Sequence, residues 1–522
     1  MGKAPSGAVI GPVNLQDGPE APPLYRQVYL HIRRAILGGQ LPAGSRLPST
    51  RVLAQELGVS RNTVAAAFDQ LYAEGFIEGR VGSGSYVTDC ICETLVEACA
   101  DNPKAAAPVV PDVGGPGLSR RGAVMANARI VEQHARHVGY FRPGSPALDA
   151  FPHALWQRLV AKRLRLRETA IGNYGPPAGY EPLRRAVAGY LATARGVVCS
   201  PDQVIITAGA QAALDLCARI LADPGDKAWI EDPGYLGARG AFRAAGLDIV
   251  PVPVDEEGLD VAAGEAQAPH ARLAYITPSR QYPTGPVMSV ARRLALLDWA
   301  RRNDAWIIED DYDSEYRYCG RPLTALQGLD GGRRVFYIGT FSKVLFPDLR
   351  LGYLVVPEQL VGEVVRARAV ASGPLPVFNQ AVVADFMEEG HFTAHIRRMR
   401  SLYAERQEAM VEAGRTHMGG MLDMQPAAGG LQLIGRVQGG VSDLDLVERA
   451  GAAGMAVTPL SQMYLGGTVE NGLILGFAAV DARAMNLRIR QLAQAIEPAF
   501  RSTVQPMTRR ASGSLERVPL AL

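Results

Sequence analysis

The chain has 522 residues, 48% of them hydrophobic and 20% charged, and a formal net charge of +2. That length gives room for about two or three domains and at least one large core. The near-neutral balance excludes a polycation, so any nucleic-acid contact has to come from a local basic patch. No apolar run approaches the roughly 18 residues that a membrane helix needs.

Residues 1–23 are rich in Gly and Pro and are expected to form a flexible arm. The start, MGKAPSGAVIGPV, lacks the apolar stretch of a secretory signal, so a cytoplasmic address is expected. It also fits the N-myristoylation pattern through Gly2 and Ser6, a short pattern that is often met by chance. The six cysteines (Cys90, Cys92, Cys99, Cys199, Cys217 and Cys319) are scattered without paired metal-ligand spacing. Free thiols in a reducing compartment, and no metal, are the expectation.

Residues 24–89 form a compact, heavily punctuated block. Leu24, Val28, Ile32 and Ile36 recur at four-residue spacing, which predicts one amphipathic helix ending at Gly38 and Gly39. Ser49 is placed to cap a second helix that Gly58 terminates, and Ser60 a third that runs to about Glu74 before Gly75. Two short helices across a tight Gly-Val turn make a helix-turn-helix. FIEGRVGSGSYV then reads as two strands with a Gly-rich tip, a wing. The third helix opens with Arg61, Asn62 and Thr63, residue types that reach base edges or phosphates from the start of a recognition helix. Arg46, Ser49, Arg51 and Arg80, with Ser60 at the helix start and Gly82 at the wing tip, are placed to meet the phosphate backbone. Between Leu24 and Asp89 there are seven arginines against five acids, a modest local excess.

The segments LYRQVYLHIRRAI, LPSTRVLAQELGVSRNTV and AEGFIEGRVGSGSYV resemble the DNA-binding domain of the GntR family of bacterial regulators over the whole block. The resemblance implies a winged helix that binds operator DNA.

Residues 90–138 are heavy in Ala, Pro and Gly and read as a linker, with one short helix expected at ETLVEACA. From 139 to 500, helical periodicity alternates with short apolar runs such as QVIIT, AWIED, LAYIT, AWIIED and RVFYIG, each followed by Gly, Pro or Asp. Strand, loop and helix in alternation predict an α/β domain on a largely parallel sheet. Residues 501–522 are polar and expected to be a disordered tail.

Within the large domain one lysine stands out. Lys343 lies in YIGTFSKVLFPDLRLGYLV, a run otherwise small, hydroxylated or apolar, with Arg350 seven residues on. Many lysines in apolar walls snorkel to solvent, but a dry pocket holds an amine neutral and nucleophilic. Other segments supply company. ITAGAQAALDL places free backbone N–H groups at Ala210 and Gln211 on a helix start, where a phosphate is welcome. IEDPGYLGAR sets Tyr235 just after a strand, where it can face a flat ring. WIIEDDYDSEYRY brings Glu309, Asp310 and Asp311 to a strand's C-terminal end, followed by Tyr312. Alternation along the strand prevents all three acids from meeting on one metal ion. Phosphate cradle, aromatic face, acid, phenol, lysine and arginine together match pyridoxal 5′-phosphate.

The motifs YGPPAGYEPLRRAVAGYL, ITAGAQAALDL, TPSRQYPTG, EDDYDSEYR and GTFSKVLFPDLRLGYLV resemble those of fold-type I aminotransferases from about Phe141 to Phe500. The resemblance implies that Lys343 forms the Schiff base, that Asp310 pairs with the pyridine nitrogen, that Tyr312 bonds the ring hydroxyl and that Tyr235 stacks on the ring. It implies a phosphate site of Thr340, Ser342, Arg350 and the backbone at Ala210 and Gln211, with Tyr174 reaching it across a homodimer interface. A winged helix fused to such a domain is similar to the MocR subfamily of GntR regulators, including the opening FRPGSPALDAFPHALWQRL.

Some positions depart from an amino-acid transaminase. Ile474 stands about where the arginine clamping the substrate carboxylate is expected, and an isoleucine cannot supply that bidentate pairing. Tyr282 replaces an asparagine beside the cofactor, and Arg280 and Gln432 stand where histidines are common. Arg280 is a candidate effector contact. The expectation is a transcription regulator that binds operator DNA as a homodimer, with an amine, an amino acid or pyridoxal phosphate itself as effector. A working aminotransferase with an accessory DNA-binding arm is the alternative.

Overall fold

The computed structural model describes residue 15 and residues 21–80, 83–88, 117–126, 139–166, 173–318, 320 and 323–503. Gly82 and the ETLVEACA segment lie outside these. The chain divides into two units, Met1–Pro116 and Gly117–Leu522.

In the first unit, helix α1 (Leu24–Leu37) turns Val28, Ile32 and Ile36 inward, as their spacing requires. Helices α2 (Thr50–Leu57) and α3 (Arg61–Ala73) begin where Ser49 and Ser60 accept backbone N–H bonds from Val52 and Thr63. Gly58 ends α2 in a left-handed conformation at φ 67°, which favours glycine. Strands β1 (Ile77–Arg80) and β2 (Gly84–Val87) pair antiparallel from Ile77–Val87 to Arg80–Gly84. Leu53, Val64, Phe68, Leu71, Ile77 and Val87 close one core with α1.

The second unit is built on an eight-stranded sheet. Its strands are β3 (Val204–Thr207), β4 (Lys227–Asp232), β5 (Asp248–Asp255), β6 (Gly258–Leu259), β7 (Leu273–Ile276), β8 (Trp306–Asp311), β9 (Val335–Thr340) and β10 (Gly352–Val355). They run in the order β3-β10-β9-β8-β7-β4-β5-β6. The pairs from β9 through β8, β7 and β4 to β5 are parallel, while β10 is antiparallel to both its neighbours and β6 is antiparallel to β5. Successive residues serve opposite faces. On β9, Phe336 and Ile338 pack under the helices Ala210–Leu221 and Leu236–Ala245, and Tyr337 packs on the other side with Glu181–Arg195. A short helix, Arg120–Ala126, lies against Leu236–Ala245, in a stretch whose composition reads as linker.

A second, antiparallel sheet follows, of β11 (Leu422–Met424), β12 (Gln432–Val437), β13 (Thr458–Pro459) and β14 (Gly472–Gly476), in the order β11-β12-β14-β13. The helices His391–His417 and Ala482–Thr503 cover it, with Met399, Tyr403, Leu433, Leu475, Ile489 and Leu492 in the shared core. No helix among the described residues is long and apolar enough to cross a membrane.

Candidate functional site

The parallel strands β4, β7, β8 and β9 all end on one edge of the large sheet, where an α/β fold presents its ligand groups. Strand alternation sorts the three consecutive acids of β8. Glu309 accepts the N–H groups of Leu326 and Gln327 at 2.9 Å each, and so caps a helix. Asp311 accepts a bond from Arg195 at 2.8 Å and another from the Tyr337 hydroxyl, a buried ion pair on the same side. Asp310 faces the other way. Its Oδ2 accepts from Tyr275 of β7 at 2.8 Å, while its Oδ1 is buried with no partner. Burial pushes this carboxyl up to about 7, reinforced by Asp311 and Asp313 and opposed by the Tyr275 bond and the charge of Lys343. A buried acceptor without a partner requires a donor, and a pyridinium N–H could supply one.

Lys343 follows β9 on the loop that reverses into β10. Its Nζ donates to the Gly144 carbonyl at 3.0 Å, in the FRPGSP segment. Desolvation lowers its pKa; Asp313 and Asp310 resist, and the charge of Arg142 adds to the fall. The amine is thereby drawn toward its neutral, nucleophilic form. Gly144 has φ 66°, and a Cβ there would stand 2.6 Å from Nζ, so the amine occupies the space a side chain would need.

The residues expected to meet a phosphate lie along the same edge. Gly209, at φ 90°, leads into the helix Ala210–Leu221, and a Cβ on it would meet nothing within 4 Å. The first-turn N–H groups of Ala210 and Gln211 have no intrahelical acceptor. Thr340 ends β9 and its Oγ1 accepts the Ser342 N–H at 3.1 Å, which orders the turn before Lys343. Arg350, exposed and left-handed at φ 51°, closes the loop; its charge is felt at the Tyr235 phenol. Tyr235 is the N-cap of Leu236–Ala245, and burial raises its phenol pKa.

Tyr312 is reached by Arg280, whose Nη1 donates to the phenol oxygen at 3.0 Å and to Asp313 Oδ2 at 3.1 Å, and whose Nη2 donates to the Gln432 carbonyl at 2.8 Å. Although burial opposes it, Tyr312 and Asp313 hold this guanidinium protonated. An effector at Arg280 has to compete with Asp313 for it. The Tyr282 ring sits edge-on between Tyr235 and Tyr312, at 5.7 and 5.8 Å. Ile474 is fully buried with Ile434, Leu460 and Met463, and Tyr282 packs against that cluster. Tyr174 is 91% exposed and does not join the site within the chain.

Several supporting residues carry no short-range sequence signal: Tyr275 under Asp310, Gly144 against Lys343, Asp313 on Arg280, and His395, whose Nε2 meets the Val344 carbonyl at 2.9 Å. The residues present fit pyridoxal phosphate: an orphan acid for the ring nitrogen, an amine for the aldehyde, and a helix start with two hydroxyls and an arginine for the phosphate.

In the first unit Arg61 and Asn62 are exposed at the start of α3, with Thr63 half-buried and bonded through its hydroxyl to Ser60 at 2.8 Å. Ser49 and Ser60 also cap their helices. Arg46 and Arg51 are exposed. Arg80 pairs with Glu78 at 3.0 Å and lies over the Tyr86 ring, so a phosphate would have to draw it away.

Comparison with known proteins agrees with both halves. Residues 24–87 match the model of the bacterial regulatory proteins of the gntR family, and residues 149–471 that of the class I and II aminotransferases. The chain is 41% identical to the probable rhizopine catabolism regulatory protein MocR of Rhizobium meliloti, over 93% of this chain and 96% of that one. It is 31% identical to the HTH-type pyridoxine biosynthesis transcriptional regulator PdxR of Corynebacterium glutamicum, over 90% and 95%. The α-aminoadipate aminotransferase LysN of Thermus thermophilus, solved with N-(5′-phosphopyridoxyl)-L-leucine, superposes with a TM-score of 0.67 at 29% identity, covering 74% of this chain and 98% of that one. The chain belongs to the MocR subfamily of the GntR family, a winged helix-turn-helix joined to an aminotransferase-like domain whose cofactor is pyridoxal 5′-phosphate.

Proposed function

We propose that the protein is a cytoplasmic, homodimeric transcription regulator that binds operator DNA through α3 and the wing. Its large domain holds pyridoxal phosphate and reads an amine, an amino acid or the cofactor itself. What supports this is a pairing: a buried unpartnered Asp310 oxygen and the Lys343 amine suit the cofactor, while Ile474, about where a transaminase is expected to place its carboxylate-clamping arginine, is buried in an apolar cluster. Bound pyridoxal phosphate supplies an aldehyde carbon that takes a primary amine.

The protein's residues then have definite tasks. Asp310 holds a proton at the ring nitrogen, and the unpartnered Oδ1 is the atom available for it. Tyr312 offers its hydroxyl to the ring oxygen while Arg280 fixes its orientation. Gly144 accepts a bond from the free Lys343 amine, so an effector amine that took the aldehyde carbon in place of Lys343 would return the lysine to that carbonyl and change the hold on the loop between β9 and β10. A change of this kind biases domain arrangement only if the effector binds one arrangement more tightly. The outward Tyr174 supports a homodimer in which it reaches the neighbouring subunit's phosphate site.

The test is a visible spectrum of purified protein, with and without borohydride, beside a gel-shift assay on its own upstream DNA. Yellow protein that is trapped by reduction and shifts that DNA, with affinity falling steeply as salt rises, is the expected result. Steady turnover of amino acid and keto acid without a DNA shift would reverse the reading in favour of an enzyme.

A further inference from the structure

Two hydrogen-bond donors near Lys343, on Gln432 and Arg142, have no acceptor among the described residues. Gln432 opens β12 and pairs in register with Gly476 of β14. Its side chain is 2% exposed, and its Nε2 has no acceptor. Seen from the position of a Cβ on Gly144, Gln432 Oε1 lies at 3.8 Å and Lys343 Nζ at 2.6 Å, so amide and amine border the same space.

The second donor is Arg142. The Gly476 N–H donates to the Phe141 carbonyl at 2.8 Å, and a Cβ on Gly476 would fall 2.1 Å from the Arg142 carbonyl oxygen. The segment is thus clamped onto β14. Ile474 lies two residues earlier on the same face of that strand, a step of about 7 Å. The backbone of Arg142, from another part of the chain, therefore lies about one such step from Ile474, where the strand's own carboxylate clamp is expected. Arg142 is half-buried, and among the described residues no hydrogen bond or ion pair reaches its guanidinium. The contrast with Arg280 is direct, since Asp313 already neutralises that cation.

We propose that Arg142 and the Gln432 side-chain amide form an anion subsite beside Lys343, which takes the carboxylate of an effector whose primary amine is directed to the lysine's position. One guanidinium and one neutral N–H donor balance one negative charge, the demand of a carboxylate. The cofactor's phosphate has its own cradle at the helix Ala210–Leu221. This inference rests on the sensor reading above and narrows it: the effector is an amino acid, not a simple amine and not the cofactor. The charge of Arg142 at the Lys343 amine agrees with the two being neighbours.

The test uses full-length, cofactor-loaded protein and titration calorimetry. Glycine, β-alanine, 4-aminobutyrate and 5-aminopentanoate are each compared with the n-alkylamine that lacks the carboxylate. At least one acid should bind tenfold or more tightly than its amine. Arg142→Gln should weaken that acid by about 10- to 100-fold, the range for a charge-assisted hydrogen bond, and the amine far less. Gln432→Glu, nearly isosteric, should reverse the preference by setting an anion in the subsite. The proposal is overturned if no acid is preferred, if Arg142→Gln weakens acid and amine alike, or if Gln432→Glu keeps the preference for acid. Protein that stays colourless with added pyridoxal phosphate overturns the sensor reading as well, and is recognised before any amine is added.

Discussion

Replacing Asp310 with Asn should move stability and cofactor affinity in opposite directions. The folded protein keeps this carboxyl near pH 7 because it is buried, whereas an exposed aspartate titrates at 3.8. Between those values the native state holds a proton that the unfolded chain has lost, so the cofactor-free protein loses stability as pH rises. Above pH 7 the loss levels off at ~4 kcal/mol, taking about 1.4 kcal/mol per pH unit. Asparagine cannot ionise, and it can still accept the Tyr275 hydroxyl. It leaves one buried donor unsatisfied, a cost of about 1–3 kcal/mol. The cofactor-free variant should therefore be more stable than the parent by ~1–3 kcal/mol at pH 8; the asparagine cost persists as the parent's penalty fades, so the advantage should vanish between about pH 4.5 and 6 and reverse near pH 4. Pyridoxal phosphate should bind the variant about 10- to 100-fold more weakly, because a charge-assisted bond to the ring nitrogen is gone. Urea unfolding of cofactor-free protein across pH 4–8, with a spectroscopic cofactor titration, measures both. A variant that is no more stable at pH 8, or that binds the cofactor as tightly as the parent, refutes the reasoning.

Three other substitutions probe separate parts of the molecule. Arg61→Ala should weaken operator binding by about 1–3 kcal/mol while the absorbance of bound cofactor stays unchanged, read by gel shift and spectrum on one preparation. His395→Gln tests the support of the lysine loop. Burial, against its bond to Val344, brings His395 down to about 4, so protonating it costs the native state between pH 6.5 and 4. The parent should lose ~3 kcal/mol over that interval relative to the variant, measured by paired urea melts. Gly144→Ala should cost about 1–2 kcal/mol for its left-handed backbone and push the amine aside, so cofactor uptake should fall with only modest loss of stability.

Much of this arrangement is legible in the chain because its signals are local. Ser49 and Ser60 announce helix starts, and Gly58 an end, through interactions within a few residues. Alternation alone separates Asp310 from Glu309 and Asp311, as the bonds to Leu326 and Arg195 bear out. What the chain hides is long-range. Gly144 and Lys343 are 199 residues apart, and nothing near either announces the other. Arg280 reads as a spare cation until Asp313 is seen beside it. The helix Arg120–Ala126 is concealed by composition, since Ala and Gly in a Pro-rich neighbourhood suggest linker.

The helix His391–His417 begins in the core under the lysine loop, through Phe392 and Ile396, and ends in that of the small sheet, through Met399, Tyr403 and Met410. From His395 to its far end it is a stiff rod of about 30 Å. A tilt of about 5° where it touches Val344 would swing the opposite tip by about 3 Å. A disturbance of atomic size at the loop can thus become a displacement as wide as a methyl group, with no part of the rod unwinding.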